Sequence, residues 1–283
     1  MHFCSQLDTL IAGAPASYER QSEGFSRLTC VDHQVGSVHM GVGRCELEPG
    51  GFIRPHLHSF EESFYILAGS VTAQIGDDAY SFGPGRYGLI STGMRHAWRN
   101  AGGEPVRWLD MQSPQPRPAA VGRDTFFVGG DNAPASAPPP EPASMREKLL
   151  GHFDVEQLPR PGGASQMEGF NPITGVALQM FVDRSFGAVH QSLFFIQYMP
   201  GAKIDPHDHT FEESYLILSG QVEATADGRT YMLGPGGVFW TSVGCIHSFA
   251  NVGTEPVRWL ETQAPLPPSK EIFRFERDWA EYQ

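Results

Sequence analysis

The chain contains one stretch of sequence twice. Residues 49–69 (PGGFIRPHLHSFEESFYILAG) return as residues 200–220 (PGAKIDPHDHTFEESYLILSG), displaced by 151 positions. The same displacement carries residues 81–100 onto 232–251 and residues 103–112 onto 254–263. Between His56 and Gln112, 27 of 57 positions match their counterparts without a gap. A repeat this long restricts the chain to two copies of one fold. The correspondence reaches upstream to Asp32–His39 against Asp183–His190 and then fades.

The segments inside each copy are short and β-like. Ser63–Leu67 and Ser214–Leu218 are aromatic and branched runs that end at Gly69 and Gly220, followed by Val71–Ile75 and Val222–Ala226. Gly76-Asp77-Asp78 and Asp227-Gly228-Arg229 then read as hairpin turns. With 32 glycines and 23 prolines in 283 residues, the expectation is an all-β protein, each copy a small barrel or jelly roll. The expected division is an N-terminal segment (1–30), a first barrel (31–113), a linker (114–150), a second barrel (151–265) and a tail (266–283). The linker assignment rests on eight prolines between Pro114 and Pro142.

A net charge of −12 without a basic stripe argues against a nucleic-acid partner. No apolar stretch is long enough to span a bilayer, and the first residues lack a basic start and an apolar core. The four cysteines form no CxxC pair. These features lead us to expect a cytoplasmic protein with buried, reduced thiols, acting on a small molecule.

The chemistry concentrates in four positions per copy. His56 and His58 are two apart, so on a strand both imidazoles face one way while Leu57 faces the other. Glu62 follows after a short turn, and His96 arrives from a later strand. The second copy repeats the set as His207, His209, Glu213 and His247. Three imidazoles and a carboxylate suit a divalent transition metal (Fe, Mn, Ni, Co or Zn), up to two ions per chain. Four protein ligands on a six-coordinate ion leave two positions for substrate, water or dioxygen.

These spacings resemble the two motifs of the cupin superfamily. The first, G-x5-HxH-x3-E-x6-G, is met by Gly51 (one residue off the usual glycine spacing), His56, His58, Glu62 and Gly69. The second is met by Gly85, Gly93, His96 and Asn100, and in the other copy by Gly236, Gly244, His247 and Asn251. Both copies carry serine (Ser91 and Ser242) where the family usually has proline. The resemblance implies a bicupin of two jelly-roll (double-stranded β-helix) barrels. It also implies that the second glutamate of each Glu-Glu pair is the ligand, leaving Glu61 and Glu212 solvated or bonded to the barrel rim. Cupin dimers pair through edge strands, so a bicupin can hold that pairing internally; a homo-oligomer stays open.

Candidate catalytic or pocket residues outside the ligand sets are His39, His190, Tyr215, Gln112 and Gln263. His39 and His190 read equally well as acid–base partners or as plain buried histidines. Tyr215, Phe64, Trp98 and Phe249 share the ligands' strand parity, so they line a pocket or fill the barrel. Gln112 and Gln263 can reach the pocket or steady a ligand. Arg107 with Glu104, and Arg258 with Glu255, read as structural ion pairs. Arginines Arg44, Arg54, Arg86 and Arg99 have no counterpart in the second copy, which favours the first site for an anionic substrate. The leading function is a dioxygenase-type oxidoreductase acting on an oxygen-bearing organic molecule. A redox-neutral hydrolase, lyase or isomerase using the metal as Lewis acid is the alternative, and a non-catalytic small-molecule binder ranks last.

Overall fold

A computed structural model describes residues 1–163, 173–270 and 272–281. Among these the regular structure is β-strand and short 3-10 turns. The expected strands are present as Glu61–Ala68, Val71–Ile75, Glu212–Ser219 and Val222–Ala226. The Asp227-Gly228 hairpin holds both residues at positive φ, 46° and 74°, the backbone that a two-residue turn between twisted strands requires.

Each copy curls into a barrel. In the first, the 18-residue strand Gly41–His58 bridges two walls. Its early half pairs with Val106–Ser113 and its late half with His96–Arg99. In the second copy the equivalent strand is two pieces, Ser192–Tyr198 and Lys203–Asp208, which pair with Val257–Ala264 and His247–Ala250. Strand parity then sorts the side chains among three cores. Trp108, Phe64, Ile66 and Trp98 fill the first barrel. Trp259, Ile217, Tyr215 and Phe249 fill the second. Residues of opposite parity, among them Leu109, Met111 and Tyr65 from one barrel and Leu260, Leu216 and Phe181 from the other, form a third core between the barrels. Tyr65 stacks on Phe181 there with ring centroids 5.4 Å apart.

Strand pairing redraws the expected boundaries. Ser22–Val31 lies along Gly41–His58 and belongs to the first barrel. The N-terminal strand His2–Gln6 pairs with Gly237–Thr241 of the second barrel, while Leu150–His152, from the junction of the presumed linker and the presumed second barrel, pairs with Arg86–Ile90 of the first. The proline-rich stretch is therefore more than a connector. It also supplies Thr125–Phe127, which lies on His56–His58, and the presumed tail supplies Arg274–Phe275, which lies on His207–Asp208. An unpaired sheet edge exposes backbone donors and acceptors, and these segments cover such edges across the repeat.

The two first glutamates of the Glu-Glu pairs close the seam. Glu212 is 1 % exposed and Glu61 is 4 % exposed, so neither is solvated. Glu212 accepts hydrogen bonds from the Val38 and His39 amides and the Ser37 hydroxyl of the first barrel. Glu61 accepts from the Val189 and His190 amides of the second. Replacing Glu212 with alanine strands those donors in a buried place, an expected loss of about 3 kcal/mol. Chemical denaturation of Glu212→Ala checks this, with a lowered midpoint as the expected result.

Candidate metal centres

Antiparallel register brings the ligands together. His56 faces His96 across one strand pair, and His207 faces His247 across its equivalent. His56, His58 and His96 form one cluster, and His207, His209 and His247 another, with ligand atoms within 4.8 Å of one another in each. Glu62 Oε2 lies 2.9 Å from His58 Nε2 and 3.6 Å from His96 Nε2. Glu213 Oε2 lies 3.1 Å from His209 Nε2 and 3.0 Å from His247 Nε2.

Every one of the six imidazoles is tied at Nδ1. His56, His96, His207, His209 and His247 donate to the backbone carbonyls of Arg54, Met94, Asp205, Ile272 and Cys245, at 2.7 to 3.0 Å. His58 Nδ1 bonds the Thr125 hydroxyl at 3.0 Å. A carbonyl only accepts, so Nδ1 carries a proton, which leaves Nε2 as the ring atom that could offer a lone pair to an ion. In the first barrel His58 Nε2, His96 Nε2 and Glu62 Oε2 are buried without a hydrogen-bond partner. Buried polar atoms without partners are uncommon, and these three converge. Three neutral imidazoles and a carboxylate are a donor set that a divalent transition ion fits.

The electrostatics agree with that use. Burial, reinforced by the neighbouring imidazoles, pushes His56 and His207 well below the usual histidine value of 6.5. For Glu62, burial favours the neutral acid, but His58 and His96 outweigh it and hold the carboxyl below its ordinary range. A histidine that folds in its neutral form opposes folding wherever the unfolded chain would protonate it. Stability of the metal-free protein is therefore complete above about pH 6.5 and falls as pH drops below it. Denaturation midpoints of chelator-treated protein at neutral and mildly acidic pH check this sign, and a midpoint that rises on acidification contradicts it.

Residues beyond the ligands distinguish the two centres. Tyr215 donates to Glu213 Oε2 at 2.5 Å and lies 3.2 Å from His247 Nε2. Gln263 donates to Glu213 Oε1 at 2.8 Å while accepting from the Ser192 hydroxyl. The corresponding first-barrel groups do less: Phe64 stands where Tyr215 does, and Gln112 donates to Asp110 at 3.0 Å. Glu261 is buried near Glu213, and burial first, then the Glu213 charge, pushes it well above the carboxylate range. His39 and His190 lie at the seam. Their hydrogen bonds run through their backbones, to Glu212 and Glu61 and from Ser113, and neither joins a ligand cluster.

The cavities differ more. A cavity of about 700 Å³ opens on the first barrel, lined by Tyr18, Phe60, Thr125, Arg27 and Gln112 among others. Phe60 stacks on the His58 ring and Tyr18 meets the His56 ring edge-on, so the cavity abuts the ligand set. The matching mouth of the second barrel measures about 290 Å³ and is lined by Gln263, Pro267 and Ile272. Space beside Glu213 is only about 20 Å³, walled by Leu178, Phe194, Tyr215 and Phe249.

Some open readings close here and some expectations change. Phe64 and Trp98 fill the first barrel, and Phe249 packs in the second core while walling the small space beside Glu213. Arg107 bonds Glu46 and Arg258 bonds Gln197, not the adjacent glutamates. Arg44 is spent on Glu46. The arginines that reach the cavity are Arg27, Arg117 and Arg123, and Arg27 lies upstream of where the repeat is recognisable. Thr125 was hidden in a stretch that reads as linker. The four cysteines are free, with Cys4 half-buried and the others buried.

Comparison with known proteins agrees with the fold. The cupin domain model matches residues 43–112 and 194–262. The tetracenomycin polyketide synthase protein TcmJ of Streptomyces glaucescens is 28 % identical over 131 residues, 46 % of this chain and 86 % of that protein. The polyketide synthase CurC of Streptomyces cyaneus is 30 % identical over 108 residues, 38 % of this chain and 70 % of that protein. Oxalate decarboxylase from Bacillus subtilis superposes with a TM-score of 0.64 at 17 % identity, covering 98 % of this chain and 78 % of that one. The Lactobacillus farciminis oxalate decarboxylase gives 0.64 at 16 %, covering 99 % and 90 %. The chain belongs to the cupin superfamily and is a bicupin. Among the described residues no helix is long and apolar enough to cross a membrane.

The Thr125 contact yields a direct test. Thr125→Val keeps all four ligands but removes the partner of His58 Nδ1. First-centre metal affinity should fall about 10- to 100-fold while the second centre is unchanged. Competition with a chromophoric chelator resolves the two steps.

Proposed function

We propose that this chain is a metal-dependent cupin enzyme with two unequal barrels, the first working on a small oxygen-bearing organic molecule and the second acting as scaffold. The observation that carries the reading is that the first barrel joins three partnerless ligand atoms to a cavity of about 700 Å³, against one such atom, His209 Nε2, and a mouth of about 290 Å³ in the second. His56, His58, Glu62 and His96 would hold the ion. When bound, it supplies a Lewis-acid centre for substrate oxygens and, if redox-active, access to dioxygen chemistry. The chain's own residues do the rest. Tyr18, Phe60 and Phe127 pack on the ligand rings and keep water from that side. The Nδ1 hydrogen bonds hold the imidazoles in one tautomer. Gln112, whose amide is held by Asp110, faces the cavity with substrate-binding capacity.

Our first reading of the reaction is dioxygenase-type, on an enol or phenol. Its support is a cavity that takes molecules much larger than a two-carbon acid. A redox-neutral reaction is the second reading, and the named relatives favour it: two are polyketide synthase proteins and two are oxalate decarboxylases. Metal analysis of purified protein, joined to oxygen uptake with 1,3-diketones and phenols, separates them. Oxygen consumed by the iron-loaded protein and lost in His96→Ala supports the first. Anaerobic conversion of the same compounds by zinc- or manganese-loaded protein supports the second. His56→Ala with His58→Ala should remove about one metal per chain; unchanged metal content would sink both readings.

A further inference from the structure

We propose that Arg27 is a specificity residue of the first barrel, anchoring an oxyanion of the substrate (a carboxylate or an acidic enol oxygen) beside the metal centre. The inference rests on the metal-enzyme reading above and narrows its substrate class. Arg27 is 8 % exposed and lines the first-barrel cavity. Its Nε donates to both carboxylate oxygens of buried Asp110 at 3.0 Å, and its Nη1 reaches the Thr29 hydroxyl at 3.3 Å. Nη2 is buried and has no partner. A guanidinium held by Asp110 and Thr29 with one donor group left unpartnered is preorganised to take a further acceptor, and an oxyanion is the strongest one.

The barrel is shaped to admit this side chain. A Cβ on Gly43 would fall 2.4 Å from Arg27 Nε and 2.8 Å from Nη2, so only glycine leaves room. At the displacement of 151, the second barrel has Phe194 for Gly43, Leu178 for Arg27 and Glu261 for Asp110. The register agrees, since Arg27 pairs with Cys45 and Leu178 with Ile196. Leu178 and Phe194 are two of the residues that wall the second centre down to about 20 Å³. The arginine and the large cavity thus occur together in the first barrel, while the second has a leucine in its place and a mouth of about 290 Å³. The cavity rim adds Arg117 and Arg123 against Asp32 and Asp124.

The test uses full-length zinc-loaded protein, with zinc content measured first, and calorimetric titration with salicylate and its neutral counterpart salicylamide. Too little zinc at the His56 set defeats the metal reading before any anion is added, which keeps the two failures apart. Wild type should prefer salicylate. Arg27→Leu with Asp110→Asn, which removes both charges together, should lose about 10- to 100-fold in salicylate affinity. Its zinc content should stay the same, and its salicylamide affinity should fall much less than its salicylate affinity. Arg27→Lys, which keeps the Asp110 pair but loses the fork, is the second arm should the double variant fail to fold, and it should lose part of the preference. Wild type that binds both compounds alike or neither, or variants that bind salicylate as wild type does, overturn the assignment.

Discussion

Neighbouring residues on a strand point to opposite faces, and in the two Glu-Glu pairs that constraint joins the metal centres to the architecture. Glu62 and Glu213 turn inward to the imidazoles. Glu61 and Glu212 turn outward into the other barrel and hold its backbone amides. A slip of one residue would exchange the two roles, placing a ligand in the seam and the seam carboxylate in the core. The register of one strand therefore decides both whether a metal can bind and whether the barrels dock. The Val189-His190 and Val38-His39 amides that receive the clasp belong to the only upstream stretch where the repeat is still recognisable. Two constraints on one dipeptide give a physical reason for FEES to stand unchanged in both copies.

The ligand sets were legible because metal binding needs fixed residue types at fixed spacing, and a repeat shows the same spacing twice. The barrel strands were legible for a similar reason, since alternation and turn glycines are local signals. Thr125, the exchanged strand His2–Gln6 and the Ile272 carbonyl were not. Each acts through backbone pairing or a single atom brought from far along the chain, and pairing partners leave no mark on local composition. The proline-rich stretch misled for a related reason. Proline excludes regular ladders over most of that stretch, yet the three residues Thr125–Phe127 suffice to cover His56–His58. His39 and His190 recur at matched positions because the seam needs their amides; no imidazole contact accounts for it.

Divergence between the copies follows one direction. The second barrel replaces Gly43, Arg27 and Phe64 with Phe194, Leu178 and Tyr215, filling its interior and giving the ligand carboxylate hydrogen bonds to Tyr215 and Gln263. Each change removes space or satisfies a polar atom, and both stabilise a fold. The first barrel keeps what destabilises: a large cavity, partnerless ligand atoms and a buried guanidinium with a free donor. Such defects persist where they serve binding or chemistry.

The exchanged strands make this division tolerable. Because His2–Gln6 completes a sheet of the second barrel and Leu150–His152 one of the first, neither barrel can open an edge without disturbing the other. The central core of Leu109, Met111, Leu216 and Leu260 adds a shared apolar term to that coupling. Local opening of the first barrel, which its cavity and unpaired atoms would otherwise favour, must then work against packing in the second. A single-barrel protein with the same open site would need to find that resistance in a partner chain. Here the repeat supplies it, and the rigid copy lets the other stay open.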